Sequence, residues 1–293
     1  MRSSSSSMSA PRGASCCFSS NPTTWCPPIW SDRPWRSICR NSAALSPCLG
    51  ASRQRRSRRM PRSLLKPVLF FDFDNTLMQG DMLDEVIEKY SPNEAWRDWE
   101  NAWAQGHLAA RDCLRLQVEN MRVSRERLFE DLTRVRIDPA FAEIVEWAKL
   151  RQVGVNIVSD SFVPLIRHIL RSNGIDGIPV FANDLRFLAN GRLVASFPFY
   201  DPACERSANA KARHLMPYRA NRIIFAGDGH SDLDAALAAD VVFAKCALAN
   251  ELDARGVAFY PFDTLEPVLA YLETVEDALR EPAAWAAGPD EGR

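Results

Sequence analysis

Residues 68–76 read Val-Leu-Phe-Phe-Asp-Phe-Asp-Asn-Thr, and this stretch decides the fold. A continuous apolar run that breaks into carboxylates is the mark of a parallel strand covered on both faces, whose C-terminal end opens into a site. Side chains alternate along an extended strand end, which points Asp72 and Asp74 to the same side and puts two carboxylates within reach of one ligand. Such a pair alone also caps helices and binds calcium, so its meaning rests on what surrounds it.

Downstream, runs rich in Val, Ile and Phe at 155–158, 179–181, 222–226, 241–244 and 258–260 predict further strands. Helical patterns at 138–150, 162–172, 208–215, 231–239, 248–255 and 264–279 separate most of them. That alternation predicts an α/β protein with a Rossmann-like parallel-sheet core. Residues 185–196 are an exception, because Asn190-Gly191 between two short alternating stretches predicts a β-hairpin with a type I′ turn. Residues 81–135 hold no strand-like run but helix-like segments at 82–90, 94–104, 111–121 and 125–134, which predicts a helical cap inserted after the first strand. Trp96, Trp99 and Trp103 recur on one face of its second helix, either as cap core or as the wall of a ligand cavity. The expected organisation is a core at 60–80 and 136–280, a cap at 81–135, and extensions at 1–59 and 281–293.

Three more places carry chemistry. Val158-Ser159-Asp160 sets a hydroxyl directly after an apolar strand, a position that also caps helices. Lys211 lies in a helical pattern and by itself reads as a solvated lysine. Gly227-Asp228-Gly229-His230-Ser231-Asp232 follows a strand with glycines that let the backbone turn sharply, and its two acids four apart can hold a hard cation from one side. His230 in that loop is a poor ligand for such a cation, which prefers oxygen. His107, His168 and His214 show no zinc spacing, and Cys204 reads as a plain thiol.

In this order the motifs resemble those of the haloacid dehalogenase superfamily: Asp-x-Asp-x-Thr at Asp72, Asp74 and Thr76, a strand-end hydroxyl at Ser159, Lys211, and Gly-Asp-x-x-x-Asp ending in Asp228 and Asp232. The resemblance covers about residues 66–280, and an insertion directly after the first motif is similar to the phosphoserine phosphatase branch. Within it, DFDNTLMQGD at 72–81, IIFAGDGHSDLDAALAADVVFAK at 223–245 and VAFYPFDTLEPV at 257–268 look most like the methionine-salvage phosphatases acting on 2-hydroxy-3-keto-5-methylthiopentenyl-1-phosphate, and next like phosphoethanolamine/phosphocholine phosphatase. The resemblance implies an Mg²⁺-dependent phosphomonoester hydrolase working through an aspartyl phosphate. Asp72 is the implied nucleophile and Asp74 the implied acid and base. Ser159, Lys211 and Thr76 would hold phosphate, and Asp72, Asp74 (by its backbone carbonyl), Asp228 and Asp232 would hold the metal. Asp81 matches a cap-side acid that reads a substrate amine, and it equally suits a helix N-cap before Met82. Gln117 falls where phosphoserine phosphatases carry an arginine for the substrate carboxylate, which disfavours phosphoserine. Asn75 departs from the usual small or acidic residue of the motif, but asparagine tolerates unusual φ/ψ. A phosphotransferase that shields its aspartyl phosphate from water is the alternative among enzymes.

Composition reads as that of an ordinary globular protein: of 293 residues, 46% are apolar and 25% charged. No stretch reaches the ~18 apolar residues of a membrane span. The net charge of −1 hides a split, since residues 1–66 hold 12 Lys+Arg against Asp32 alone, leaving 24 basic and 36 acidic residues for 67–293. Five of the eight cysteines also fall in the first segment; the scattered Cys113, Cys204 and Cys246 suggest a reducing compartment, so the expected location is cytoplasmic. The Arg- and Ser-rich residues 1–59 lack packable periodicity and read as translation upstream of a true start at Met60, as a targeting or disordered extension, or as a basic nucleic-acid-binding arm. The expected partner is a small phosphate monoester, with neither membrane nor nucleic acid, and the oligomeric state stays open.

Overall fold

A computed structural model describes residues 65–280. The expectations for 1–59 and 281–293 lie outside the described residues. Seven strands form one sheet in the order β4-β3-β2-β1-β5-β6-β7, with only β4 antiparallel to its neighbour. All five residues of β1 (Pro67–Phe71) are buried, as the apolar run requires, because helices cover both faces of the sheet. Phe71 and Leu69 belong to one core layer and Phe70 and Val68 to the other. The strand is thus the spine between two hydrophobic layers.

The chain leaves β1 toward β2 (Gly154–Phe162), β3 (Val180–Phe187) and β4 (Leu193–Ser196), then crosses to β5 (Arg222–Gly227), β6 (Val241–Ala244) and β7 (Tyr260–Pro261) on the other side. The crevice at such a reversal is where ligands bind in open α/β sheets. It lies between β1 and β5, and β2 flanks β1 on its other edge. Asp72 and Asp228 follow the ends of β1 and β5, and Ser159, expected just after its strand, lies inside β2 beyond the last residue paired with β1, so the three are neighbours.

The cap comprises α1 (Met82–Tyr90), α2 (Ala95–Ala104), α3 (Ala110–Asn120) and α4 (Arg125–Leu132). Asp81 caps α1 by accepting from the Asp84 N–H, and Ser124 does the same for α4 from Arg127. The cap returns to the core beside its point of departure, where the Asp138 N–H donates to the Leu77 carbonyl at 2.8 Å. Asp138 then opens α5 (Pro139–Leu150), accepting from Ala140, with proline at the first helical turn. The core helices α6 (Val163–Ser172), α7 (Lys211–Leu215), α8 (Leu233–Ala238), α9 (Cys246–Ala254) and α10 (Glu266–Arg280) follow the predicted segments closely. None of the described helices is long and apolar enough to cross a membrane.

The turn in the β3–β4 hairpin differs from the expected type. Gly191 has φ +73° but Asn190 does not take a positive φ, so the turn is not I′. Gly191 N–H donates to Leu188 O and Leu188 N–H to Arg192 O, giving a type I turn closed by a left-handed glycine, the usual three-residue alternative. The Gly191 carbonyl accepts from Val123 of the cap, so the hairpin supports the cap.

Candidate active site

At the C-terminal ends of β1 and β5 three carboxylates converge. Ligand oxygens of Asp72, Asp228 and Asp232 all lie within 4.8 Å of one another. Lys211, only 2% exposed, reaches into them from α7 and donates to Asp72 Oδ1 and Asp232 Oδ1 at 2.7 Å each. Burial works against the lysine charge, but Asp232, Asp72 and Asp160 outweigh it and hold Lys211 well above an ordinary lysine. Lys211, whose helical pattern alone reads as a solvated lysine and whose motif implies a phosphate contact, is thus a buried counter-ion that also lines the cavity. The other oxygen of Asp232 accepts from the Asp228 and Gly229 N–H groups at 3.0 Å each. Asp228 accepts from Asn75 Nδ2 at 2.7 Å and Thr76 Oγ1 at 3.2 Å, and its carboxyl is pushed up to about 6 by burial and by Asp232. Asp72 has one oxygen tied to Lys211 and lines the cavity above. Burial first, then Asp232, raises its carboxyl well above the usual range.

The donors of Asp72 and Asp228 are hard oxygens, partly neutralised by one lysine, and this set fits Mg²⁺. Asp232 belongs to the same group, and the three hydrogen bonds it accepts fix its carboxylate beside the other two. The Asp74 carboxylate stands outside this group: it turns toward the cap and accepts from the Met82 N–H at 3.2 Å. β1 ends before it, so strand alternation does not aim it. Burial, then Asp81 and Asp84, raise its carboxyl well above the usual range. Thr76, expected on phosphate, is absent from the cavity lining, and its hydroxyl holds Asp228 instead. Ser159 lines the cavity, and its Oγ accepts from the Ser161 N–H at 3.0 Å rather than capping α6, which starts four residues later.

A cavity of about 240 Å³ stands over these groups, roofed by the cap. Asp81 reaches it, so the same residue caps α1 and faces a ligand. Trp103 is the one member of the tryptophan stripe that lines it, while Trp96 packs against the hydrophobic core. His230 lies at the rim with Nδ1 engaged by Glu251. No residue of 185–196 contributes to the lining.

A family model for haloacid dehalogenase-like hydrolases matches residues 69–237, more than half of the chain. The chain belongs to that family. A phosphoserine phosphatase of Bos taurus is 26% identical over 174 residues, 58% of this chain and 77% of that one. A 2-hydroxy-3-keto-5-methylthiopentenyl-1-phosphate phosphatase of Bacillus cereus is 25% identical over 217 residues, 70% of this chain and 95% of that one. The solved phospho-aspartyl intermediate analogue of a phosphoserine phosphatase shares the fold, with a TM-score of 0.54 at 21% identity over 71% of this chain and 98% of that one. This haloacid dehalogenase-like hydrolase has phosphatases among its relatives.

Sequence motifs alone did not single out the loop that positions Lys211 in this hydrolase. Asn209, fully buried, donates to the carbonyls of Ser159 and Phe181 at 2.9 and 2.8 Å, tying the loop before α7 to β2 and β3. Its Oδ1 faces His214 Nε2 at 2.8 Å, and since burial lowers that imidazole to about 4, the neutral ring must donate. Asp160 accepts from Ser207 Oγ and the Asn209 N–H at 2.7 and 2.9 Å and completes the clamp. Buried asparagines in loops carry no local signal, because their partners lie on other strands.

Gly227 is required for space. A methyl group there would sit 2.7 Å from the Asp232 carboxyl and 2.8 Å from the Phe225 ring. Because Asp232 is held by three hydrogen bonds it cannot yield without breaking the site, so Gly227→Ala should cost about 1–3 kcal/mol. A melting temperature lowered by several degrees, with turnover reduced, is the expected result; an unchanged melt would show that the loop has room.

Proposed function

We propose that the protein is an Mg²⁺-dependent phosphomonoester hydrolase that acts on a small phosphorylated metabolite through an aspartyl phosphate on Asp72. The observation that supports this most is the Asp72 carboxylate itself. It is buried, steered through one oxygen by Lys211, and faces a cavity large enough for a small monoester. The free oxygen attacks phosphorus in line with the ester oxygen, and the ester bond breaks as the O–P bond to Asp72 forms. Asp74 gives its proton to the departing alkoxide, a role favoured by the burial and the neighbouring Asp81 and Asp84 that raise its carboxyl well above the usual range. Asp74 then takes a proton from the water that hydrolyses the acyl phosphate. Lys211 and Ser159 hold the phosphoryl oxygens, the Ser159 hydroxyl hydrogen being free to donate because its oxygen accepts from Ser161. A bound Mg²⁺, held by Asp72 and Asp228, supplies the positive charge that lets an anionic nucleophile approach an anionic phosphate.

Selectivity rests with the cap. Gln117 is 1% exposed and its amide is spent on Glu100, so no cap group is placed to receive a substrate carboxylate there. A small leaving group, uncharged or cationic, is therefore favoured, such as that of the methionine-salvage enol phosphate or phosphoethanolamine, and phosphoserine is disfavoured. Chelation is expected to abolish turnover of a generic aryl phosphate. Mg²⁺ should restore it and Ca²⁺ should not, because a larger coordination number lets a carboxylate bind bidentately and lose its attacking lone pair. Full turnover in chelator would overturn the assignment.

A further inference from the structure

Among the described residues, three other than glycine take a positive φ: Asn75 at +50°, Gln152 at +53° and Cys246 at +47°. Gln152 stands just past the end of α5, where a left-handed residue is an ordinary way to close a helix. Asn75 and Cys246 have no helix end to close. Asn75 lies in the loop after β1 and Cys246 is the first residue of α9, yet across 171 positions the Asn75 Nδ2 donates to the Cys246 Sγ at 3.7 Å. A left-handed cysteine persists only where its surroundings fix it, and such residues gather at sites that must be held in one arrangement.

The residue held between them is Asp228. The Asn75 amide carries two hydrogens, and it donates to Asp228 Oδ2 at 2.7 Å as well as to Cys246. Thr76 Oγ1 donates to the other oxygen at 3.2 Å. In the first turn of α9 the Leu248 N–H donates to the backbone carbonyl of Asp228 at 2.8 Å. The loop after β1 and the start of α9 thus meet on one aspartate, and Asn75 is the side chain that touches both.

Asp228 needs such a hold. Lys211 pairs with Asp72 and with Asp232, but Asp228 has no ion pair among the described residues, although its ligand oxygen lies within 4.8 Å of theirs. Like charges at that range repel, so neutral donors must keep the Asp228 carboxylate in the group before a cation arrives. An ionised carboxylate offers about four lone-pair sites, so Asn75 and Thr76 fix its orientation and leave a lone pair on each oxygen for a cation. Of these two bonds the one from Asn75 is the shorter, and it alone is braced from behind by Cys246.

We propose that Asn75 is the positioning residue of the metal centre: its amide, braced on Cys246, keeps the Asp228 carboxylate beside Asp72 and thereby sets the affinity for the divalent cation. The inference rests on the metal reading above and adds to it the residues that prepare the site.

Binding of Mn²⁺ to the full chain, followed by the EPR signal of the free ion, is the test. Asn75→Gly keeps the left-handed backbone and removes only the amide. It should weaken Mn²⁺ binding by about tenfold or more, the scale on which partners of metal ligands are felt. The Mg²⁺ concentration that half-activates turnover of an aryl phosphate should rise in parallel, while the melting temperature in chelator stays within a few degrees of the wild type. Cys246→Gly should weaken Mn²⁺ binding by a smaller factor and add little on the Asn75→Gly background, because the brace acts only through the amide. Unchanged Mn²⁺ binding by Asn75→Gly overturns the proposal, as does a melt in chelator lowered by many degrees, which would make Asn75 a residue of the fold. Full additivity of the two substitutions overturns the part given to Cys246. A wild type that binds no Mn²⁺ and turns over in chelator overturns the metal reading itself, a result distinct from the others.

Discussion

Asp72→Asn is expected to keep the fold and to lower turnover of an aryl phosphate by at least about a thousandfold, the scale on which loss of a nucleophile is felt. The amide is isosteric but offers no anionic oxygen to phosphorus. Its effect on stability should be small, because two contributions oppose each other. The folded-state carboxyl of Asp72 is raised above its unfolded value by burial and by Asp232, so above the ordinary carboxylate range the charge disfavours folding, and removing it relieves that cost. Against this, Lys211 loses one of its two ion pairs but keeps Asp232 at 2.7 Å. A melting temperature within a few degrees of wild type, together with lost turnover, is the expected pair of measurements. Turnover near that of the wild type would show that another group attacks phosphorus.

Lys211→Met should have the larger effect on stability. The substitution leaves Asp72 and Asp232 buried with no cation between them, and breaking a buried pair from one side costs about 3–5 kcal/mol. The loss depends on pH in a definite sense. Without the lysine, which lowers it, the Asp72 carboxyl is raised further above its unfolded value, so the folded variant must either take up a proton or carry unpaired charge. The penalty is larger at pH 7.5 than at pH 5, because the folded Asp72 carboxyl, raised by burial and Asp232, takes up its proton at a higher pH than the unfolded one. Urea unfolding at the two pH values measures the difference, and turnover should be lost at both. A variant as stable as the wild type at pH 7.5 would mean that the lysine is not the counter-ion of the cluster.

Much of this molecule is local chemistry that can be read residue by residue. The apolar run before Asp72, the proline and Asp138 that open α5, and the periodic patterns of the cap each act within a few residues of themselves, and the elements they predict are present within a few residues of their expected ends. Asn75 illustrates how far such reasoning carries. Asparagine tolerates left-handed backbone, and it does take φ +50° here, while its side chain also grips Asp228. The hairpin turn shows the limit, since Asn-Gly is compatible with more than one turn and the contact of Gly191 with Val123 in the cap accompanies the one observed.

By itself the sequence determined the α/β alternation, the insertion after the first strand, and the order in which a carboxylate pair, a hydroxyl, a lysine and a second acidic loop arrive. Those are set by strand and helix periodicity and by turn residues, which are properties of neighbours in the chain. The tertiary structure alone decided what those groups do to one another. Lys211 becomes a buried counter-ion to a residue 139 positions away, and Thr76 turns its hydroxyl onto Asp228 across 152 positions. Glu100 is fixed by Gln117 of the following helix, which a sequence spacing of 17 does not specify. Each of these depends on which strands lie side by side and how the cap folds back over them. The sheet order and the packing of both faces select those contacts, and no residue's own propensity encodes them.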